Sequence, residues 1–429
     1  MDELGGTWSL ALSRIENDNL DGCIAWIRHC RSALRSGRVL RAASGLQETE
    51  RSVTVCVWIS ASGGSASMAG DGWVGEWRKG RDVSEPIRVV QWGLGAMGAG
   101  MARLMLGKSG LAVVGAVDGR PDFVGRDVGE VLGIGQRLGV IVTNRPETAL
   151  EGAGVDVVTL ATTSWVRRQM PDLRTVIEAG INCVSIAEEL AAPEAQSPEL
   201  AAEIDALAKG NGVSVLGTGV NPGFVLDLLV VTLTGGCHVV DRVEASRVND
   251  LSPYGPTVMA TQGVGLTPEA FRAGVSDGSI VGHVGFPESI HMISEAIGLG
   301  VDRVEQSREP IITTVRRETP HVTVEPGMVA GCAHVGVGYH GERELVRLVH
   351  PQQIHPQLEA QETGDYVHVY GLPEVHMAIR PEIAGGQATM GVAVNMIPHV
   401  VAASPGLKRM IDLPAPAALM GASAYARRC

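Results

Sequence analysis

The stretch IRVVQWGLGAMG, residues 87–98, decides the fold of this chain of 429 residues. Its first half, 87–92, is apolar and partly β-branched, which predicts a buried strand. The pattern Gly-x-Gly-x-x-Gly follows at once, and the apolar residues from 101 to 105 have helical spacing. A second apolar run over 111–117 ends at Asp118. A glycine pattern between a strand and a helix, followed by a second strand that ends in an acid, predicts a dinucleotide-binding turn.

Each glycine of this turn has its own predicted role. Gly93 permits the tight turn, Gly95 lets a pyrophosphate approach the backbone, and Gly98 lets the helix pack closely on the strand. The helix N-terminus favours the negative charge of the pyrophosphate. We therefore expect NAD or NADP as the cofactor; a turn with a purely structural purpose is the alternative. The expected cofactor contacts in the turn are Gly93, Leu94, Gly95, Ala96, Met97 and Gly98.

Two residues at the end of the second strand bear on which dinucleotide binds. The Asp118 carboxylate can accept from the adenosine ribose hydroxyls and would repel a 2′-phosphate, which favours NAD. Arg120 could instead pair with the 2′-phosphate of NADP. We include both residues in the predicted cofactor site, and the sequence leaves both cofactors open.

The pattern of strand-like and helical segments changes near Gly219. Before this point apolar strand-like runs alternate with helical segments, which predicts a parallel sheet with helices on both faces. Beyond it, strand-like runs between Gly/Pro turns predict an α+β domain with a mixed or antiparallel sheet. We therefore predict an α/β protein with a Rossmann-type domain over 87–219 and an α+β substrate and dimerisation domain over 220–390. A C-terminal helix and loop over 391–429 is expected to pack back toward the Rossmann domain.

The first 86 residues differ in composition from the rest. Five of the seven tryptophans lie there, together with the Gly/Ser-rich stretch SASGGSASMAG. No sustained apolar period emerges, so we interpret 1–86 as an extension that is poorly ordered or weakly docked. An upstream start-site artefact, with Met68 as the true start, and a small accessory domain are the alternatives.

Composition narrows the partners and the compartment. A formal net charge of −12 argues against nucleic acid or an anionic membrane as a partner, because both require a basic surface. The seven cysteines form no CxxC pair, which indicates a reducing compartment and no zinc site. No stretch is long and apolar enough to span a bilayer, and the N-terminus lacks a signal-peptide pattern. We expect a cytoplasmic protein that binds a small-molecule substrate and no metal.

Two loops and one acidic pair should lie at the carboxyl ends of the parallel strands, where ligands bind in open α/β sheets. Ala161, Thr162 and Thr163 follow one predicted strand, although they could simply form a helix N-cap. Glu188 and Glu189 follow the next predicted strand. Two buried acids are costly unless one is used or paired, and one could serve as a general base. A solvated pair at a helix N-terminus is the alternative.

Several longer stretches carry a family resemblance: VQWGLGAMGAGMA, INCVSIAEELAAP, VLGTGVNPGFVLDLL, EASRVNDLSPYGPTVM, GHVGFPES, VHPQQIHPQLEA and VNMIPHVVAASPGLKRMIDLPAPAALMG. Through them the chain resembles, from Ile87 to its C-terminus, the 2,4-diaminopentanoate dehydrogenases and the related native amine dehydrogenases. These proteins share a dihydrodipicolinate-reductase-like architecture. The resemblance implies a homodimer and reversible oxidative deamination: hydride leaves the amine carbon for the nicotinamide, and water converts the imine to a ketone and ammonia.

The resemblance also implies site residues. It associates an acid in the stretch matched by Glu188 and Glu189 with handling the amine and the water. The expected substrate-binding residues are Asn249, Asp250, Ser252, His283 and His399, and the further cofactor contacts are Asn221 and Asn395. Each has a structural alternative, such as a turn, a ring bonded to backbone or helix packing.

The substrate and the reaction class keep alternatives. A diamino acid needs a partner for its carboxylate, such as Arg247 or His283, and one for its second amine, such as Asp250. Simple amines or ketones would need a more apolar pocket. The stretch between Lys209 and Lys408 has no lysine, which suits hydride chemistry without a Schiff base. A nucleotide-binding sensor that has lost the reaction is the alternative outside enzymes.

Overall fold

The computed structural model describes residues 85–151, 154–421 and 425. The predicted extension, apart from residues 85 and 86, lies outside the described residues. Within the described residues, no helix has the length and apolar character needed to span a bilayer.

Strands account for two main sheets and a small ribbon. In chain order they are β1 Ile87–Trp92, β2 Leu111–Val117, β3 Val142–Thr143, β4 Val157–Leu160, β5 Asn182–Ser185, β6 Ser214–Gly217, β7 Val239–Asp250, β8 Arg303–Ile312, β9 Arg317–Glu318, β10 Thr323–Val324, β11 Val329–His340, β12 Arg343–Gln353, β13 Gly364–Leu372, β14 Val375–Ile379 and β15 Gly406–Lys408.

Helices connect and cover these strands. They are α1 Ala96–Leu106, α2 Val128–Leu132, α3 Pro146–Leu150, α4 Val166–Glu178, α5 Pro198–Gly210, α6 Leu228–Thr234, α7 Pro256–Thr261, α8 Pro268–Asp277, α9 Phe286–Ile297 and α10 Gly385–Val401. Short 3-10 turns lie at Glu188–Ala191, Pro193–Ala195, Pro356–Glu359 and Met410–Asp412.

The first sheet is parallel throughout, in the order β15-β6-β5-β4-β1-β2-β3. Helices cover both faces: Met101 and Met105 of α1 lie in one buried cluster, and Leu173 and Ile177 of α4 lie in another. This confirms the predicted Rossmann-type sheet. Chain order reverses between β1 and β4, and a crevice for ligands is expected at that point.

The second sheet is mixed, in the order β14-β13-β7-β12-β11-β8, and confirms the predicted α+β part. Only its β7–β12 pair is parallel among the described strands. Helix α9 packs on one face, where glycines in β11 let it approach. A Cβ at Gly336 would lie 2.7 Å from Phe286, and one at Gly338 would lie 2.7 Å from Ile290.

The C-terminal part differs from the prediction. The last helix begins at Gly385 rather than Gly391, and the segment expected as a loop contains β15. This strand extends the parallel sheet by pairing with β6, with Gly406 opposite Ser214 and Lys408 opposite Leu216. A strand at a sheet edge is held mainly by backbone hydrogen bonds, so its sequence needs no apolar pattern. The proposed domain boundaries at 219 and 390 stay a prediction.

A buried carboxylate defines the chain path before α6, which begins at Leu228. Asp227 is fully buried and accepts from the N–H groups of Gly223, at 2.7 Å, and of Leu228, at 2.6 Å. Its carboxylate therefore stabilises a turn before the helix.

Replacing Asp227 should test this turn. The carboxylate also accepts from the Ser289 hydroxyl at 2.8 Å, so Asp227→Ala leaves three buried donors without their acceptor. We expect a loss of about 3 kcal/mol in the free energy of unfolding, measured by urea denaturation. Asp277→Ala, at an exposed acid that accepts from Ser279 at 2.9 Å, is the control and should change little. Equal losses in the two variants would contradict the assigned role.

Candidate active site

The glycine turn has the geometry of a phosphate-binding turn. Gly93 has φ +88°, and a Cβ there would lie 2.5 Å from the Ala161 carbonyl oxygen. A Cβ at Gly98 would lie 1.8 Å from the Gly93 carbonyl oxygen. At Gly95, the residue before α1, a Cβ would meet nothing within 4 Å. The turn is thus closed on its protein side and open at the helix N-terminus, where a pyrophosphate would lie. Around it, Leu94 is buried, Met97 is half-buried and Ala96 is exposed.

Asp118 and Arg120 form an ion pair at the end of β2. The Asp118 carboxylate accepts from the Leu94 N–H at 2.7 Å and from the Arg120 guanidinium at 2.8 and 2.9 Å. Burial raises the pKa of Asp118, but the hydrogen bonds from Arg120 and Leu94 outweigh it and lower this pKa to about 2. Arg120 also lies over the Phe123 ring, 3.8 Å from its centroid. The predicted selectors of NAD and NADP are therefore in direct contact.

The loop after β4 lies against the glycine turn. The Ala161 N–H donates to the Trp92 carbonyl at 2.8 Å, which joins this loop to the end of β1. The Thr162 hydroxyl donates to Asp172 at 2.9 Å, and the Thr163 hydroxyl accepts from the Trp165 N–H at 3.3 Å. The Thr162 hydroxyl thus joins the loop to α4, and the Thr163 hydroxyl bonds within the loop.

Glu188 and Glu189 follow β5, which ends at Ser185, and they begin a 3-10 turn. Their surroundings differ. One Glu189 carboxylate oxygen accepts from the Val166 N–H at 2.8 Å, at the N-terminus of α4, whose N-cap residue Trp165 provides no side-chain bond. The Glu189 N–H donates to the Ser164 carbonyl at 3.2 Å. Glu189 is distant in sequence from α4 but caps its N-terminus. An N-cap was the alternative considered for Ala161, Thr162 and Thr163.

Glu188 is the member of the pair with the perturbed acidity. Burial raises the pKa of this carboxyl, the hydrogen bond from the Ser164 side chain partly offsets the effect, and the nearby Glu189 raises the pKa further. A carboxyl at a strand end whose pKa is raised is a candidate for taking up and releasing a proton.

A third carboxyl, that of Glu288, lies near this pair and was not predicted from the sequence. It lies in the first turn of α9 with a fully buried side chain, and its Oε1 accepts from the Gln196 amide at 2.7 Å. Its Oε2 is buried and has no hydrogen-bond partner among the described residues. Burial, together with repulsion from Glu189 and Glu188, raises the pKa of Glu288 to about 7, although the Gln196 bond opposes the rise. Glutamate is common in the first turn of a helix, so the position of Glu288 in the sequence did not indicate a functional role.

The loop after β6 connects to a cluster of histidines from the second half of the chain. The Asn221 amide donates to His283 Nε2 at 3.0 Å, while the Asn221 carbonyl oxygen is buried without a partner among the described residues. The His283 N–H donates to His334 Nδ1 at 2.9 Å. The His283 and His350 rings lie 4.9 Å apart, and His350 Nε2 lies 3.1 Å from the Asn249 side-chain oxygen.

The three rings of this cluster are neutral. Burial lowers their pKa values, to about 3 for His283 and about 2 for His334, and well below the usual value for His350. The positive charge of Arg247 lowers the pKa of His283 and His350 further, and that of Arg308 acts on His283 and His334. Two ring nitrogens, His334 Nε2 and His350 Nδ1, are buried without partners among the described residues.

Three further residues predicted to bind the substrate form hydrogen bonds or ion pairs within the protein. One Asp250 oxygen accepts from the Ser252 N–H at 2.8 Å and from the His355 N–H at 3.1 Å, and the Ser252 hydroxyl also accepts from the latter. Arg247 is buried and pairs with Asp365 at 2.7 Å. These contacts stabilise a turn and an ion pair.

Helix α10 carries the last two predicted site residues. His399 is buried in its last turn. Asn395 is half-buried, and its side-chain oxygen is buried without a partner among the described residues. This orphan acceptor supports Asn395 as a ligand contact more strongly than the burial of His399 supports that residue.

Comparison with known proteins gives a consistent result. Residues 224–428 match the family model "2,4-diaminopentanoate dehydrogenase C-terminal domain", and residues 87–186 match "Dihydrodipicolinate reductase, N-terminus". A 2,4-diaminopentanoate dehydrogenase of Acetoanaerobium sticklandii is 48% identical over 340 residues, which covers 79% of this chain and 96% of the relative. The chain belongs to the 2,4-diaminopentanoate dehydrogenase family. It is therefore an oxidoreductase of the amine dehydrogenase class that uses NAD or NADP and catalyses oxidative deamination.

Amine dehydrogenases are more distant relatives of this family member. One from Streptomyces virginiae is 28% identical over 354 residues, covering 76% of this chain and 96% of the relative. The solved structure of an amine dehydrogenase from Mycobacterium smegmatis has a TM-score of 0.70 and 28% identity, and covers 78% of this chain and 98% of its own. The similarity spans both sheets.

Two glycines of the turn should separate stability from cofactor binding. We expect Gly98→Ala to lower the free energy of unfolding by about 3 kcal/mol, because its Cβ would overlap the Gly93 carbonyl. Gly95→Ala should leave stability within about 0.5 kcal/mol but weaken NAD or NADP binding at least ~10-fold, because its Cβ points into the space reserved for the pyrophosphate. Urea denaturation and calorimetric titration measure the two effects. Unchanged cofactor affinity in Gly95→Ala would contradict the placement of the pyrophosphate.

Proposed function

We propose that this protein oxidises 2,4-diaminopentanoate with NAD or NADP, giving 2-amino-4-oxopentanoate and ammonia in a reversible reaction. The observation that carries the proposal is the half-buried carboxyl of Glu188, whose pKa is raised, at the carboxyl end of β5, two strands from β1 and its glycine turn. The substrate is that of the relative with 48% identity.

We propose that Glu188 handles both protons of the reaction. Its carboxylate takes a proton from the substrate ammonium, because only a neutral amine can release hydride from its carbon. When bound, the nicotinamide supplies the hydride acceptor. After hydride loss, Glu188 releases this proton to solvent. Water then adds to the resulting imine, and Glu188 accepts a proton from that water and passes it to the departing nitrogen. The sum is substrate ammonium, oxidised cofactor and water giving ketone, free ammonium, reduced cofactor and one proton.

Glu189 is the weaker candidate for this role. Its carboxylate already accepts the Val166 N–H at a helix N-terminus, where negative charge is stabilised. We propose that Glu189 positions the turn and that Glu288 acts as a neighbouring carboxyl that shares the proton load. Three acids that repel one another beside one turn cannot all be charged at low cost, so at least one holds a proton near neutral pH.

We further propose that His283 and Asn221 contact the substrate and that Asn249 positions His350. Neutral imidazoles tolerate an ammonium better than charged ones would, which suits a substrate with two amines. The buried, unpartnered oxygen of Asn221 favours a ligand that donates a hydrogen bond. Asp250 and Ser252 are assigned to supporting the adjacent turn.

One observation favours a second candidate, the deamination of simple amines. Arg247, the guanidinium predicted to pair with a substrate carboxylate, is already paired with Asp365 and bonded to the Ile383 carbonyl. An amine that lacks a carboxylate does not require Arg247 to leave this ion pair. The amine dehydrogenase relatives are compatible with this alternative. A sensor without activity is disfavoured by the cost of keeping Glu188 and Glu288 buried.

We propose that the protein works in the cytoplasm as a homodimer. The thiols of Cys183, Cys237 and Cys332 are free, as in a reducing compartment. The family resemblance supports a dimer. Light scattering after size-exclusion chromatography tests the mass.

A substrate panel tests the proposed reaction. We expect 2,4-diaminopentanoate with NAD or NADP to increase the absorbance of reduced cofactor, at a kcat/KM at least ~10-fold above that for simple amines. A preference for simple amines would instead establish the second candidate. Cofactor binding without turnover of any amine, or of any ketone with ammonia, would leave only the sensor.

Replacing the two adjacent glutamates separately should identify the base. We expect Glu188→Gln to lower kcat at least ~100-fold, because the amide cannot accept the proton. Glu189→Gln should keep activity within a few-fold, since the amide oxygen can still accept from Val166. Because the pKa of Glu188 is raised and the deprotonated form acts in deamination, wild-type kcat/KM should fall as pH decreases through this raised pKa. Equal losses in both variants would contradict the division of roles.

A further inference from the structure

A second group of potential ligands lies on the hairpin of β13 and β14, away from the glycine turn. His368 and His376 are directly opposite each other in the antiparallel pair. Glu374 comes from the turn between the strands. Side chains directly opposite across two strands lie on the same face and close together. The hairpin therefore brings two imidazoles and one carboxylate to one point without any contribution from the rest of the chain.

The three side chains converge on one position. His376 Nε2 lies 3.2 Å from Glu374 Oε1, and His368 Nε2 lies within hydrogen-bond distance of the same oxygen. The two histidine rings are 3.8 Å apart between centroids. One ligand atom from each residue lies within 4.8 Å of the others. Ligands around a tetrahedral zinc ion are about 3.3 Å apart, so this arrangement needs little movement to enclose an ion.

We propose that His368, Glu374 and His376 bind one divalent transition-metal ion of the zinc class. Two imidazoles and a carboxylate form a donor set that suits zinc and related ions and discriminates against magnesium and calcium, which prefer oxygen ligands. Hydrogen bonds from His368 and His376 lower the pKa of Glu374, so its carboxylate is ionised at neutral pH.

The surroundings leave the fourth coordination position open. A cavity of about 310 Å³ adjoins the group, and a small ligand or water has room in it. Its walls are formed by Glu244, Ser246, Tyr366, Val367, His368, His376, Met377 and Ala378. The exposed fractions of the His376 and Glu374 side chains are 66% and 53%, so an ion can enter from solvent. A site with three protein ligands and an open position is the arrangement of exchangeable rather than structural zinc.

A hydrogen-bonded triad without a metal is the simpler explanation, and metal titration distinguishes the two. The full-length protein is treated with a chelator, dialysed and titrated with ZnCl₂ by calorimetry, with MgCl₂ as the comparison. We expect wild-type protein to bind one more zinc ion per chain than His376→Ala. Glu374→Gln should weaken this site at least ~10-fold. MgCl₂ should give no saturable binding at the hairpin.

A matched control removes a histidine of equal exposure. His340 is also 66% exposed and lies 3.3 Å from a single carboxylate, Asp302. His340→Ala should retain the zinc ion that His376→Ala loses. The difference between these variants isolates the hairpin from any other zinc-binding side chains of the full-length protein.

Two outcomes would overturn the proposal. Identical zinc stoichiometry and affinity in wild-type protein, His376→Ala and Glu374→Gln would leave a hydrogen-bonded triad only. Equal loss of zinc in His340→Ala would show nonspecific binding to exposed histidines. Circular dichroism and thermal unfolding confirm that each variant is folded, and Glu374→Gln preserves the side-chain shape if His376→Ala does not fold. Amine oxidation, which the hairpin does not enter, should be unchanged in all three variants.

Discussion

The close approach of α1 to the end of β1 is the constraint on which the rest of the site depends. It requires glycine at residue 98, because any Cβ would overlap the Gly93 carbonyl, and it requires the positive φ of Gly93 beside Ala161. This packing aims the N-terminus of α1 at the crevice where chain order reverses. Cofactor binding, and hence the location of the reacting carbon, follows from that geometry.

The second constraint is the partial or complete burial of three carboxyls. Glu188, Glu189 and Glu288 approach one another where a 3-10 turn meets α9, and each resolves the cost of burial differently. Glu189 accepts a helix N–H, whereas the other two have raised pKa values. Burial, which disfavours the ionised form of an acid, here raises the pKa values of Glu188 and Glu288, and the proposed proton transfer rests on this effect.

Sequence reasoning succeeded where apolar runs dominate. The bounds of β1 and β2 were predicted because their strands are buried on both faces. It failed at β11, because Gly336 and Gly338 interrupt the apolar pattern typical of a buried strand. Glycine is required at both positions, since α9 packs closely against them. It missed the helix-capping bond of Glu189 and the buried carboxyl of Glu288 for another reason. Their partners, Val166 and Gln196, are distant in sequence, and no local pattern reports such contacts.

The two sheets divide the chemistry between them. The carboxyl proposed to move protons follows a strand of the parallel sheet, whereas the neutral histidines come from the second half of the chain, His334 and His350 from the mixed sheet and His283 from the loop before α9. The bond between Asn221 and His283, 3.0 Å long, joins the two sets. Changes to side chains of the mixed sheet can therefore alter the substrate while the proton-handling turn stays intact.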